Sequence, residues 1–230
     1  MMNRRCLLTT GFAALAVVAP VTSSLAQMAP ASAELAAYQG LHRAAHHGNV
    51  AEIEKLLAAG AAPDVRDGRQ RTPLHVACYA RQIGAMRALV KGGANPRALE
   101  FQAYDCITIA AVADDLPTLK AALELGGNAR EITSLYQGTA LIAAAHLGHD
   151  GVVKTLIEAG APIDHVNNLG WTALIEAVIL GDGGARHTET VRHLVKAGAR
   201  RDLADRQGRT PLDHARSRGY AEMVGMLEAR

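Results

Sequence analysis

Apolar and polar positions alternate along the chain with a helical period, and the pattern restarts about every 33 residues. Thr72–Gly93, TPLHVACYARQIGAMRALVKGG, shows it best. Leu74, Val76 and Ala77 form one short apolar stripe, and Met86, Leu89 and Val90 form a second at i, i+3, i+4 spacing, so the spacing predicts two short helices. Thr72 is suited to cap the first, with Pro73 at a position where a missing N–H costs nothing. The pattern recurs at Thr139 (TALIAAAHLGHDGVVKTLIEAG), Thr172 (TALIEAV) and Thr210 (TPLDHARSRG). Asp105–Gly126 fills the gap with Asp105 at the Thr position, and Leu41–Gly60 is the same unit without its Thr-Pro.

Ala77, Ala110, Ala144, Ala177 and Ala215 occupy one site in successive units, where a small side chain lets neighbouring helices approach closely. Gly60, Gly93, Gly126, Gly160 and Gly198 follow the second stripe, where a left-handed turn needs no Cβ. Stretches such as 61–70 and 161–170 are rich in Pro, Asp, Asn and Gly and read as turns. A repeat of this length means one supersecondary unit stacked on copies of itself. The joint pattern resembles the ankyrin repeat from about Leu41 to the end of the chain. That resemblance implies an all-α solenoid of about six helix-turn-helix units with projecting hairpin loops, the units spanning about 38–71, 72–104, 105–138, 139–171, 172–209 and 210–230. The third unit departs from the pattern, having lost Thr, Pro and His and carrying Pro117 near the start of its second helix. The fifth is longer, with extra residues within 181–189 between its helices. The sixth ends as a terminal cap, with Arg216, Arg218 and Glu222 facing water.

Residues 1–26 read as a cleavable export signal. Arg4 and Arg5 make a positive start, residues 7–21 are mildly apolar, and Ser24-Leu25-Ala26 places small residues before a cut at Gln27. Asn3-Arg4-Arg5-Cys6-Leu7-Leu8 also resembles a twin-arginine signal, so either that route or the general secretory one is open. Both lead to a periplasmic protein, with residues 27–37 as a lead-in, disordered over 28–33, to an ankyrin domain over 38–230. Arg4 and Arg5 also account for the formal charge of +2; without them 22 basic residues face 22 acidic ones. Such a balance gives no bulk attraction to nucleic acid or to an anionic membrane surface, and no membrane insertion is expected after signal cleavage.

The resemblance implies that a partner would sit on the hairpin tips and the exposed side of each first helix. Carried over position by position, that face holds Arg69, Arg71, Tyr79, Phe101, Tyr104, Tyr136, His146, Leu169, Trp171 and Arg209. Beyond residue 26 the chain has seven aromatics, and five of them fall on this face. Trp, Tyr and Arg are the types enriched at binding hot spots. Phe101, Tyr104, Tyr136 and Trp171 are therefore expected to form an apolar ridge flanked by Arg69, Arg71, Arg206 and Arg209. The competing reading packs these rings between hairpins as stiffeners.

Other chemistry is sparse. His42, His75 and His149 stand at framework positions, where the side chain bonds nearby backbone. His46 and His47 are adjacent and point apart, and His146 lies three repeats away, so a shared metal is disfavoured; His187 and His193 flank the insertion. Asp114–Asp115 reads as a solvated helix cap. Cys78 and Cys106 form an even pair in an oxidising compartment. Units spaced about 10 Å apart would hold them beyond the ~7 Å Cα limit, so two buried thiols are expected. No nucleophile, metalloprotease or phosphate-loop motif is present. The reading is a non-catalytic protein-binding module without a cofactor, monomeric on its own, binding an unidentified protein along its groove and hairpin tips. The family resemblance implies adaptor, inhibitor or stabilising roles. The alternative is a periplasmic small-ligand or metal-binding protein using the groove histidines and the 181–189 insertion.

Overall fold

The computed structural model describes residues 28–229. The export signal expected over residues 1–26 lies outside that range. Thirteen helices follow in order: α1 (Ser32–Ala37), α2 (Gly40–His46), α3 (Val50–Ala58), α4 (Pro73–Tyr79), α5 (Ile83–Lys91), α6 (Cys106–Val112), α7 (Leu116–Glu124), α8 (Ala140–His146), α9 (Asp150–Glu158), α10 (Ala173–Ile179), α11 (Ala185–Lys196), α12 (Pro211–Arg218) and α13 (Ala221–Glu228). From α2 onward they form six antiparallel pairs. The first helices of successive pairs pack on one another in one layer and the second helices in another, and the core runs between the layers as one continuous cluster.

Local chemistry sets each boundary. Thr72, Thr139, Thr172 and Thr210 each accept the N–H three residues on, and Asp105 does the same in the third unit. Pro117 falls in the first turn of α7, where its missing N–H is tolerated. Gly60, Gly93, Gly126, Gly160 and Gly198 all take positive φ just past the second helices, the conformation a glycine adopts without steric cost. The shared alanines are closed off from solvent, Ala77, Ala144, Ala177 and Ala215 at 0% exposure and Ala110 at 1%. A larger side chain there would push the helix layers apart.

Three expectations about this frame change. Residues 28–33, expected to be disordered, are held in place: α1 begins at Ser32, and Met28 and Glu34 bond to the first two hairpin loops. The extra residues of the fifth unit are not all loop, because α11 begins at Ala185 and runs 12 residues where the other second helices have eight or nine. Cys78 and Cys106 are joined as a disulfide, their Cα atoms 5.9 Å apart. The ~10 Å spacing holds between helix axes. Cys78 near the end of α4 and Cys106 at the start of α6 both lie between those axes, which brings their Cα atoms within bridging range.

The framework histidines bond as expected. His75 accepts the Thr72 N–H on Nδ1 at 3.0 Å, and its Nε2–H donates to the carbonyls of Ala98 at 2.9 Å and Tyr104 at 3.2 Å. Burial pushes its pKa down to about 4, so the ring is neutral. His42 donates to Arg71 O and His149 to Ala111 O. The Asp114–Asp115 pair is less solvated than expected. Asp115 is buried as the cap of α7, bonding Thr118 N and Oγ1, and Asp114 pairs with Arg186 at 2.9 Å.

Candidate partner-binding face

Between one helix pair and the next the chain projects as a short hairpin-like finger, and five fingers line one edge of the solenoid. Their tips are built alike. A side-chain oxygen at the first tip position accepts the backbone N–H groups two and four residues on: Asp67 from Arg69 and Arg71, Glu100 from Gln102 and Tyr104, Asn167 from Leu169 and Trp171, Asp205 from Gln207 and Arg209. In the third finger the Ser134 hydroxyl takes the Gly138 N–H instead. A backbone bond closes each loop, as in Asp67 N to Arg71 O at 3.0 Å and Asn167 N to Trp171 O at 3.0 Å. Neighbouring fingers are also tied, Phe101 N to Arg69 O and Asn168 N to Tyr136 O. The clamp uses short polar side chains that fold back on their own backbone.

The ten expected contact residues do reach this side of the molecule, but not all are accessible. Leu169 and Arg209 are exposed, and Arg69, Tyr79, Phe101, Tyr136, His146 and Trp171 are half-buried. Arg71 and Tyr104 are buried, at 0% and 3%, and neither offers a surface to a partner. Tyr104 precedes α6, and its ring packs into the core cluster. For that ring the stiffening role holds. Arg71 lies among Asp67 (3.2 Å), Glu34 (3.3 Å) and the Tyr38 hydroxyl (3.3 Å), with its guanidinium carbon 5.8 Å from the Tyr79 ring centre and 5.9 Å from that of Phe101. Burial alone would raise the Asp67 pKa, but the Tyr38 O–H, two backbone N–H groups and the Arg71 charge hold it below the usual carboxylate value. Burial and the bond to Asp67 push the Tyr38 phenol up to about 12.

Arg69 lies 5.1 Å from the Phe101 ring centre and bonds Glu34. Arg206 bonds Asn168 O of the preceding finger, and Arg209 bonds Ser217. His146 pairs with the buried Glu176 at 2.9 Å, and Glu176 also accepts from Asn167 at 2.8 Å. His187 bonds Asp182 and the His146 carbonyl. His46 and His47, expected to point apart, have ring centres 5.0 Å apart in an edge arrangement. Among the described residues no three His, Cys, Asp or Glu side chains converge as a metal site, and no helix is long and apolar enough to cross a membrane.

The accessible apolar surface is aliphatic. Leu99, Ile132 and Val166 are all exposed and stand at one position in three successive fingers, with Val65 exposed one residue earlier in the first finger and Leu135 and Leu169 at the tips. Ile132 is 52% and Leu135 69% exposed, values that mark them as the most open apolar side chains here. A signal for them exists in the sequence: positions 99, 132 and 166 follow the 33–34 residue period, and Ile132 and Val166 each break a polar stretch. The weight given to aromatics hid it.

This geometry is shared. The Ank_2 family model, described as ankyrin repeats (3 copies), matches residues 41–120, 107–199 and 141–229. The chain is 38% identical over 95 residues to the ankyrin repeat protein YahD of Escherichia coli, a stretch covering 41% of this chain and 47% of that protein. The match thus spans about half the length of that relative. A crystal structure of an ankyrin repeat domain from Acinetobacter baumannii superposes with a TM-score of 0.77 at 42% identity, over 81% of this chain and 95% of that one. A chain in the complex of the predatory endopeptidase Bd0816 with immunity protein Bd3460 from Bdellovibrio bacteriovorus has a TM-score of 0.69 at 21% identity, over 83% and 97% of the two chains. The chain belongs to the ankyrin-repeat family, whose repeats are generally non-catalytic protein–protein interaction modules.

Proposed function

We propose that this chain is a non-catalytic binding module that acts outside the cytoplasm and holds a protein partner along the finger edge. The observation that carries the reading is the aliphatic row. Six of the eight large apolar side chains most open to water, Val65, Leu99, Ile132, Leu135, Val166 and Leu169, fall in four consecutive fingers. Scattered apolar exposure is ordinary in a soluble protein, whereas a rimmed, contiguous row marks an interaction surface. Arg69, Phe101, Tyr136, Trp171 and Arg209 border the row and supply the amphipathic side chains typical of hot spots. Because the finger clamps hold the loops in shape, association loses little loop entropy. An ankyrin-fold chain in a complex between an endopeptidase and an immunity protein is a precedent for the fold only.

Two observations support action in an oxidising compartment. Residues 1–26 carry the sequence features of an export signal, and Cys78 and Cys106 are bridged, a state cytosolic reductants disfavour. The test for the binding role is affinity capture from a periplasmic extract, with the chain and with its Ile132→Asp/Leu135→Asp/Leu169→Asp variant as baits. The captured protein should be lost with the variant while the melting temperature stays within about 2 °C, since surface substitutions rarely move stability by more than ~0.5 kcal/mol. Equal recovery by both baits refutes the finger-edge site.

A further inference from the structure

The segment Met28–Ala37 lies across the first two fingers, and Glu34 and Met28 make its polar contacts with them. Glu34 Oε1 meets Arg69 Nε at 3.0 Å and Arg71 Nη1 at 3.3 Å. The Met28 carbonyl accepts from Arg71 Nη2 at 3.1 Å, and the Met28 N–H reaches Gln102 Oε1 at 3.2 Å. Apolar burial contributes little, because α1 buries none of its six residues and only Leu35 packs partly on the core.

Beneath this lightly held segment is a guanidinium wholly removed from water. Arg71 Nε is buried and bonds to nothing, as are Tyr79 Oη, on the ring Arg71 faces, and Oε2 of the neighbouring Glu100. Within the fingers only Asp67 is ion-paired with Arg71, while Glu100 commits Oε1 to the N–H groups of its own loop. The second paired carboxylate comes from α1. A buried cation stripped of a paired charge is costly by several kcal/mol. Whatever covers Arg71 must therefore bring a carboxylate, and spare buried donors remain for it to engage.

We propose that Met28–Ala37 is an internal stand-in for the partner, and that the partner docks at this end of the finger edge by delivering a Glu or Asp side chain to the Arg69–Arg71 pair in place of Glu34. The proposal rests on the partner-binding reading of the face. An acidic segment exchanges carboxylate for carboxylate, whereas an apolar or basic one leaves Arg71 short of a counter-charge. The tethered stand-in competes at an effective concentration of about a millimolar. A partner prevails when it adds contacts along the aliphatic row.

The test needs no partner. The probe is a fluorescein-labelled synthetic peptide of residues 28–38, MAPASAELAAY, and its counterpart with Gln at the Glu34 position. The full chain carrying Glu34→Lys repels its own segment from the two arginines. By fluorescence anisotropy at low salt it should bind the acidic peptide at least ten-fold more tightly than wild type does, and the Gln peptide at least ten-fold more weakly than the acidic one. No binding by a variant with the helical circular dichroism of wild type, or equal binding of the two peptides, overturns the proposal and makes the segment a fixed end-cap. Should Glu34→Lys fail to fold, hydrogen exchange on wild type decides. Excess acidic peptide must deprotect amides 32–37 and leave α4 and α6 unchanged, and unaltered protection overturns the proposal. Because Ile132, Leu135 and Leu169 take no part, failure here leaves the capture experiment standing.

Discussion

Opening the Cys78–Cys106 bridge should cost this solenoid a large part of its stability. The bridge closes a loop with a sequence separation of 28 and links α4 of one unit to α6 of the next. In the chain-entropy treatment a loop of that size restricts the unfolded ensemble by about 3.5 kcal/mol at 25 °C. Both cysteines are buried, at 3% and 4%, so their loss also removes packing at the centre of the second inter-unit contact. The assay is urea unfolding, followed by circular dichroism, of the wild-type chain with and without a phosphine reductant, and of Cys78→Ala/Cys106→Ala. With a urea slope of about 2–3 kcal/mol per molar, the midpoint should fall by about 1–2 M on reduction and in the double variant alike, and the reductant should not move the variant further. Peptide mapping of the denatured, unreduced chain should recover Cys78 and Cys106 as one linked pair. Free thiols at both positions, or a reductant shift equal in wild type and variant, would refute the reasoning.

Two further expectations concern buried charge in the frame. Asp105 caps α6 with Oδ1, while its Oδ2 is buried and bonds to nothing, and burial raises its pKa; Asp105→Thr, which restores the residue at Thr72, Thr139, Thr172 and Thr210, should stabilise the fold by ~1–2 kcal/mol at neutral pH. A carboxyl raised in the folded state favours folding only while protonated, so that gain should shrink as pH falls, read from urea midpoints at pH 4.5 and 7. His75 has the opposite slope: held neutral by burial with a pKa of about 4 against an ordinary 6.5, it binds its proton more readily in the unfolded chain. Stability from this group is full above pH 6.5 and is lost as pH falls toward 4, by at most ~3 kcal/mol. His75→Gln should lower the midpoint at pH 7 and flatten its fall toward pH 4.5, and an unchanged fall would remove His75 as the cause.

Much of the frame was legible because it rests on local chemistry. Thr72 caps, Pro73 starts and Gly93 ends a helix for reasons contained within a few residues, and the 33-residue recurrence turns one weak pattern into a strong one. The site was less legible because exposure is a property of stacked units. Arg71 and Tyr104 occupy positions that the repeat pattern assigned to the partner face, yet Arg71 is covered by a segment starting 43 residues earlier. Nothing local in 69–71 announces that cover. The disulfide was missed because helix spacing was used where Cα spacing applies. The aliphatic row was not legible because Leu99, Ile132 and Val166 are individually unremarkable, and only their shared position in consecutive fingers gives them meaning.

The clamp at each finger tip has a consequence for how this surface changes over generations. Asp67, Glu100, Asn167 and Asp205 hold their loops through backbone N–H groups, which every residue except proline supplies. The loop's shape therefore depends on one side chain, and the side chains between the clamped amides are left to vary. Side chains at positions such as Arg69 and Leu169 can be exchanged for other residues without refolding the finger that carries them. Shape and surface are inherited separately. Single substitutions between the clamped amides therefore change what the finger presents, while a change at the clamp residue itself would blur the whole finger at once.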